Sequence, residues 1–179
     1  MILNQIADDI RQHFVPRTSP WDEAKYSWIR NSSTSDKGRI GEWIAWKFFA
    51  DRGRMVREST SPQYDLLVDR DRVEVKLSCR NEDGGYRWLQ VRPADDFTHI
   101  VLVAVDLEDI RAYLIPKSEV CNLKPQHCGT RGSMETRTLA AKPGESWLRP
   151  YEIAIVPPLR PLASTTIKPR SVRKRKVLV

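Results

Sequence analysis

The amino-acid sequence predicts an α/β fold in which helices flank a central mixed β-sheet. Apolar residues recur at helical spacing as far as residue 53, and beyond it the pattern changes to short alternating or continuous apolar runs, which are typical of strands. A length of 179 residues favours one domain. We assign this domain to residues 1–158 and a basic, flexible tail to residues 159–179.

The first 34 residues are predicted to form a helical extension. Apolar side chains lie on one helical stripe in residues 2–14. Ser19 and Asp22 have the positions of an N-cap and an acidic N3 residue, which predicts a second helix over residues 21–29. Both helices precede the predicted core of the domain, which covers about residues 36–116.

The helix that opens this core has the clearest pattern. From residue 36 onward, Ile40, Trp43 and Ile44 fall on one helical face, and Gly53 supplies a C-terminal stop. The strands predicted after it cover residues 55–59, 64–68, 73–78, 86–91, 99–105 and 111–116. Residues 99–105 are rich in β-branched side chains, as expected of a central strand buried on both faces. Residues 117–158 are interpreted as a short helix, accessory loops and one more strand.

Polar residues are concentrated on the hairpin that residues 64–68 and 73–78 form. If the hairpin closes symmetrically about the four-residue connection between them, Asp65 faces Lys76, and Glu74 lies on the same face of the sheet. Asp65 and Glu74 would then be diagonal cross-strand neighbours, roughly 7–8 Å apart at the backbone. Two carboxylates at this separation can reach one cation.

The chemistry of these side chains points to phosphodiester hydrolysis. Mg²⁺ prefers oxygen ligands and keeps several waters, so two carboxylates suffice to hold it. Lys76 can position or deprotonate the attacking water and neutralise charge that develops on the phosphorane. Glu42, on the preceding helix, can bind the metal directly or through water.

These residues resemble a known pattern, that of the PD-(D/E)xK nuclease superfamily of restriction endonucleases and Holliday-junction resolvases. The resemblance consists of Asp65, eight residues, Glu74-Val75-Lys76, and a preceding GxxGE helix that ends in Glu42. It covers about residues 36–116 and implies a restriction endonuclease-like core. In that case Asp65 and Glu74 ligate metal, Lys76 is the catalytic lysine and Glu42 an accessory acid. One departure is Tyr64, where family members have proline.

The resemblance also implies an activity and its partners. It indicates a Mg²⁺-dependent endodeoxyribonuclease, for which Mn²⁺ can substitute, acting on double-stranded DNA as a homodimer or with a partner subunit. A type II restriction or defence enzyme is favoured, because the segment after Lys76 is long. Ser78, Arg80 and Gln90 lie where family members often contact DNA. The alternatives are a Holliday-junction resolvase, a repair nuclease, or a DNA-binding module of the same fold without activity.

Composition and motif content limit the other possibilities. Seven of the 30 basic residues lie from Arg160 onward without an acidic residue, so the remaining 23 balance the 23 acidic residues. The basic excess therefore belongs to the tail, which can remain solvated or contact a polyanion. Apolar runs are too short for a membrane span, and the N-terminus lacks a secretory pattern, so a cytoplasmic protein is expected. Cys121, His127 and Cys128 lack paired zinc-ligand spacing.

Overall fold

The structure is a computed structural model that describes residues 19–123, 127–131 and 134–153. It contains three α-helices and eight β-strands in these residues. In chain order they are α1 (Ser27–Asn31), α2 (Thr34–Ala50), β1 (Val56–Glu58), β2 (Leu66–Val68), β3 (Asp71–Cys79), β4 (Tyr86–Val91), β5 (His99–Val105), β6 (Ile110–Pro116), α3 (Lys117–Asn122), β7 (His127–Arg131) and β8 (Met134–Ala141), followed by a short 3₁₀ turn, Arg149–Tyr151.

The strands form two sheets. The larger has the order β1-β2-β3-β5-β6, and the smaller has the order β4-β8-β7. In the larger sheet β3 and β5 are parallel, whereas the other neighbouring strands are antiparallel. The prediction of a central mixed sheet in an α/β fold is therefore confirmed. No helix in the described ranges is long and apolar enough to cross a membrane.

The larger sheet is covered on both faces. On one face Val73, Val101 and Val103 belong to a core that also includes residues of α2. On the other face Ile100 and Leu102 belong to a second core with residues of the smaller sheet. These residues alternate because successive side chains of a strand point to opposite faces. Strand β5 thus contributes to both cores, as its β-branched sequence predicted.

Helix α2 is confirmed, but the exposure of its residues differs from the prediction. It begins two residues earlier, after Ser33, whose side chain accepts a hydrogen bond from the Asp36 amide at 3.1 Å. The buried residues recur every four positions, at Gly41, Ala45 and Phe49. The prediction that Trp43 faces the core is wrong, since 67% of this residue is exposed. The helix turns its glycine toward the sheet, and this orientation directs the larger side chain outward.

The N-terminal prediction is wrong for the second helix. Residues 20–26 form turns, and α1 covers only Ser27–Asn31. The expected cap residues make a tight turn instead, in which the Ser19 amide donates to the Asp22 carboxylate at 2.9 Å. The same side chains favour caps and turns because both structures leave backbone N–H groups to be satisfied. The helix predicted in residues 2–14 and the basic tail lie outside the described residues.

The segment after residue 121 contains more regular structure than its sequence suggested. Strands β7 and β8 pair as an antiparallel hairpin, and β8 pairs with β4. Strand β4 has a bulge between Trp88 and Val91. The strand expected after residue 150 begins with a single bridge between Glu152 and Tyr113, and its continuation lies outside the described residues. The hairpin supplies a second layer opposite the larger sheet.

Candidate active site

The candidate site lies on the face of β3 that points toward the smaller sheet. Glu74 and Lys76 are paired in register with Ile100 and Leu102 of β5, and residues in parallel register share a face of the sheet. Ile100 and Leu102 belong to the core between the two sheets.

The hairpin register differs from the prediction by two residues. Leu66 pairs with Val73, so the turn contains only two residues and Asp65 does not face Lys76. The first turn residue, Asp69, has a φ of 54°, the left-handed conformation that two-residue hairpin turns require and that aspartate tolerates. A shift of two residues preserves the face of every side chain. The prediction that Asp65 shares a face with the other site residues therefore survives the change of register.

Asp65 is fixed beside Glu74 by the backbone of β3. Its amide N–H donates to the carbonyl oxygen of Val73 at 3.0 Å. Its carboxylate Oδ2 accepts a hydrogen bond from the Val75 amide at 2.7 Å. Because Glu74 lies between Val73 and Val75, these two bonds place the Asp65 carboxylate next to Glu74. The charge of Asp65 also acts on Glu74, whose pKa it helps to raise.

Burial dominates the electrostatics of this pair. The Glu74 side chain is only 11% exposed. Burial raises the pKa of Glu74 to about 7, and the nearby charge of Lys76 opposes this effect while that of Asp65 adds to it. Burial also raises the pKa of Asp65, against the lowering effects of the Val75 amide and Lys76. Burial therefore disfavours the ionised form of both carboxyl groups, and a bound cation would favour it.

Lys76 is the third side chain of the site, beside Asp65 and Glu74. Its Nζ lies 2.6 Å from Glu74 Oε1, and its side chain is 25% exposed. The pair is therefore partly buried, with Lys76 more exposed than Glu74. Lys76 supplies a positive charge next to two carboxylates, the combination that the sequence analysis predicted for the attack of water on a phosphodiester.

Glu42 lies on α2 at the border of this cluster. Burial raises the pKa of Glu42, and the charges of Asp65 and Glu58 raise it further. The negative charge of Asp65 therefore acts on the Glu42 carboxylate. In the described ranges, however, no three His, Cys, Asp or Glu side chains converge on one metal position. The geometry thus comprises two adjacent carboxylates, Asp65 and Glu74, with Glu42 nearby.

The donor set fits a hard divalent cation. Mg²⁺ is usually bound by one or two carboxylates and retains several waters. Asp65 and Glu74 supply two adjacent carboxylates, of which Asp65 Oδ2 accepts from the Val75 amide and Glu74 Oε1 contacts Lys76 Nζ, so each keeps a second oxygen for a cation. Two such ligands satisfy what Mg²⁺ or Mn²⁺ requires from a protein.

The three residues predicted to contact DNA have different environments. Ser78 is buried, and its hydroxyl accepts a hydrogen bond from the Arg87 amide at 2.9 Å, so it joins β3 to β4. Arg80 is partly exposed and pairs with Asp106 at 3.1 Å. Gln90 is exposed on the β4 bulge with a φ of 56°. Ser78 is therefore not accessible to DNA in this structure, whereas the other two are on the surface.

Sequence reasoning missed one acidic neighbour of the site, Asp95. This residue is buried, and its charge contributes to the raised pKa of Glu74. Arg92 Nη1 lies 3.5 Å from its Oδ2, and Lys117 Nζ donates to its carbonyl oxygen at 2.6 Å. The signal in the sequence was an Asp-Asp pair shortly before the most apolar strand. In the sequence this pair resembles an ordinary loop, and only the folded structure places Asp95 near Glu74 of β3.

Comparison with known proteins gives a distant structural similarity. The sequence matches no protein-family model and no curated protein. Among solved structures the chain is similar to a bacterial homing endonuclease, I-Ssp6803I, with 19% sequence identity and a TM-score of 0.49. The alignment covers 68% of this chain and 89% of that chain. A similarity this distant does not assign an activity, so the function must be argued from the site itself.

Proposed function

We propose that this protein is a metal-dependent endonuclease that hydrolyses phosphodiester bonds in double-stranded DNA. The observation that carries the proposal is the geometry of β3, whose backbone holds the Asp65 carboxylate beside Glu74, with Lys76 Nζ 2.6 Å from Glu74 Oε1. A solvated ladder of charges on a strand would not keep a carboxyl pKa near 7. Carboxyl groups whose pKa is shifted by burial and by a specific charged neighbour are typical of functional sites.

Each side chain has a role in this proposal. Asp65 and Glu74 hold Mg²⁺ or Mn²⁺, and the ion, when bound, polarises the phosphate and makes water more acidic. Lys76 orients the attacking water and neutralises the negative charge that grows on the phosphate oxygens. Glu42 acts as an accessory acid that adds negative charge beside Asp65. In the reaction, the water oxygen bonds to phosphorus and the bond to the leaving oxygen breaks. The attacking water gives up its protons to solvent, and the leaving oxygen takes one proton from solvent to become a hydroxyl group.

The biological setting that we propose is restriction or another form of DNA defence. About a hundred residues follow Lys76, and they include the hairpin of β7 and β8 in the smaller sheet. Such a layer provides a surface that can read a sequence. Cleavage of both strands at a two-fold site is most simply done by two copies of the centre, so a homodimer is the simplest assembly, with a partner subunit as the alternative.

A nuclease assay tests this function. Plasmid and phage DNA are incubated at low salt with Mg²⁺, Mn²⁺ or EDTA, and the products are separated on gels. We expect metal-dependent cleavage that Asp65→Asn, Glu74→Gln and Lys76→Ala each reduce by at least about a hundredfold. Asp71→Asn is the matched control, because it removes a carboxylate that is 43% exposed on the same strand.

The outcomes separate the alternatives. Discrete fragments indicate a sequence-specific enzyme, whereas much faster cleavage of four-way junctions than of linear duplex indicates a resolvase. Folded protein that binds DNA without cutting it under any metal condition indicates a binding module. Full activity in both Asp65→Asn and Glu74→Gln would falsify the assignment of the site.

A further inference from the structure

An apolar cavity of about 160 Å³ lies between helix α2 and the larger sheet. Its lining is apolar throughout and includes Phe48 of α2, Ile110 and Ala112 of β6, and Ile153. A cavity of about 150 Å³ can hold a benzene molecule, so this one can hold a branched aliphatic side chain. None of the roles proposed above uses this cavity.

The cavity adjoins an edge strand that has begun to pair. Among the described strands β6 lies at one edge of the larger sheet, and the backbone groups of an edge strand can bind a further strand. Glu152 forms an antiparallel bridge with Tyr113, and the Ile153 amide donates to the Ala112 carbonyl oxygen at 2.8 Å. Ile153 is the last residue that the structure describes. The cavity therefore lies where the rest of the chain, residues 154–179, begins.

The bridge fixes the register of any continuation. Because Glu152 lies opposite Tyr113, a continued antiparallel pair places Ile155 opposite Ile110, three residues further along one strand and three residues back along the other. Residues directly opposite each other share one face of a sheet. Ile110 packs against the core that includes α2 and lines the cavity. In this register the Ile155 side chain therefore lies over the same cavity.

The backbone of β6 is also oriented for the next pair. The Ala112 carbonyl oxygen points to the outer edge of the sheet, since it accepts from the Ile153 amide. Residues two apart on a strand direct their N–H and C=O groups to the same edge. The Ile110 amide accordingly donates to the adjacent Asp109 carboxylate at 2.8 Å. The Ile110 carbonyl oxygen is thus placed to accept a hydrogen bond from the Ile155 amide.

We propose that residues 154–156 extend the larger sheet as a further strand beside β6, with Ile155 closing the apolar cavity. Isoleucine and valine favour strands, and Pro157 and Pro158 end this one because proline has no N–H to donate. The strand covers the edge of β6 and anchors the basic tail, residues 159–179, beside α2. This inference does not depend on the proposed nuclease activity.

Hydrogen exchange of the full chain, followed by NMR, tests the pairing. In the proposed register the Ile155 amide donates to β6, whereas the Ala154 amide points away from it. We expect the Ile155 amide to exchange at least about a hundredfold more slowly than the Ala154 amide. Comparable exchange rates at the two positions overturn the proposed strand.

A pair of aspartate substitutions tests the closure of the cavity. Ile155→Asp should lower the Tm of the metal-free protein by roughly 5–10 °C, because it removes an apolar side chain from the cavity and puts a charge there. Ala154→Asp is the matched control and should change the Tm by less than about 2 °C, since its carboxylate would lie opposite Arg111, whose side chain is 44% exposed. Ile155→Ala replaces the aspartate variant if that variant does not fold. Equal Tm changes at the two positions overturn the closure but leave the nuclease assignment, which cleavage assays test, intact.

A nuclear Overhauser contact between Ile155 and Phe48 identifies which chain fills the cavity. In a mixture of differently labelled copies, we expect the contact within each chain. A contact seen only between copies would assign the cavity to a segment of a second copy and overturn the proposal.

Discussion

Replacement of Glu74 by glutamine should stabilise the metal-free protein at alkaline pH. The Glu74 side chain is 11% exposed, and its Oε1 lies 2.6 Å from Lys76 Nζ. Glutamine keeps its size and a hydrogen-bonding amide but carries no charge at any pH. The variant therefore reports the free energy that the fold loses when this carboxyl group ionises next to a second acid in a desolvated cleft.

The magnitude follows from the pKa of Glu74, which is raised from 4.5 to about 7. Between these two values the native state holds a proton that the unfolded state has released, so the free energy of unfolding falls as the pH rises. At 1.36 kcal/mol per pKa unit, the loss is about 3 kcal/mol by pH 8. Below pH 4.5 the carboxyl group is protonated in both states, and this loss disappears.

Thermal and urea unfolding in EDTA measure this effect for wild type and Glu74→Gln between pH 4.5 and pH 8. We expect the stability difference between the two proteins to change by about 3 kcal/mol in favour of glutamine across this range, or roughly 6–12 °C in Tm. Asp71→Asn, at an exposed carboxylate of the same strand, should change by less than about 0.5 kcal/mol. A difference that stays constant with pH would show that Glu74 ionises at its ordinary pKa. The raised pKa would then no longer support Asp65 and Glu74 as a metal-binding pair.

Three further predictions concern the metal and the helix. Mg²⁺ should raise the Tm of wild type more at pH 8 than at pH 6, because both carboxyl groups must ionise to bind it; a similar rise in Asp65→Asn and Glu74→Gln would contradict this ligand assignment. Glu42→Gln should raise the Mg²⁺ concentration for half-maximal cleavage by about tenfold, and an unchanged metal titration would exclude its accessory role. Gly41→Ala should destabilise the fold by about 1–3 kcal/mol in urea titrations, because its Cβ would lie 3.0 Å from that of Leu77. The Cβ of Gly38→Ala would meet no atom within 4 Å, so this variant should stabilise the fold by about 0.5–1 kcal/mol. Equal effects at the two glycines would refute the close contact of α2 with β3.

The sequence alone determined the local elements and the face that each candidate residue occupies. Helix α2 and strands β4 and β5 were predicted from the spacing of apolar residues, which repeats every 3.6 residues in a helix and every 2 in a strand. This spacing involves only residues that are close in the sequence. The same alternation put Asp65, Glu74 and Lys76 on one face. That conclusion holds even though the register moved, because a shift of two residues leaves the parity of a strand unchanged.

Only the tertiary structure decided how these elements meet. The two-residue turn at Asp69 set the hairpin register, and the close approach of Gly41 to β3 turned Trp43 outward. The smaller sheet enclosed Glu74, and a loop distant in sequence brought Asp95 to it. Burial and long-range charge depend on residues far apart along the chain, so no local pattern encodes them. The sequence thus identified the acids, and the packing of two sheets gave one of them its raised pKa.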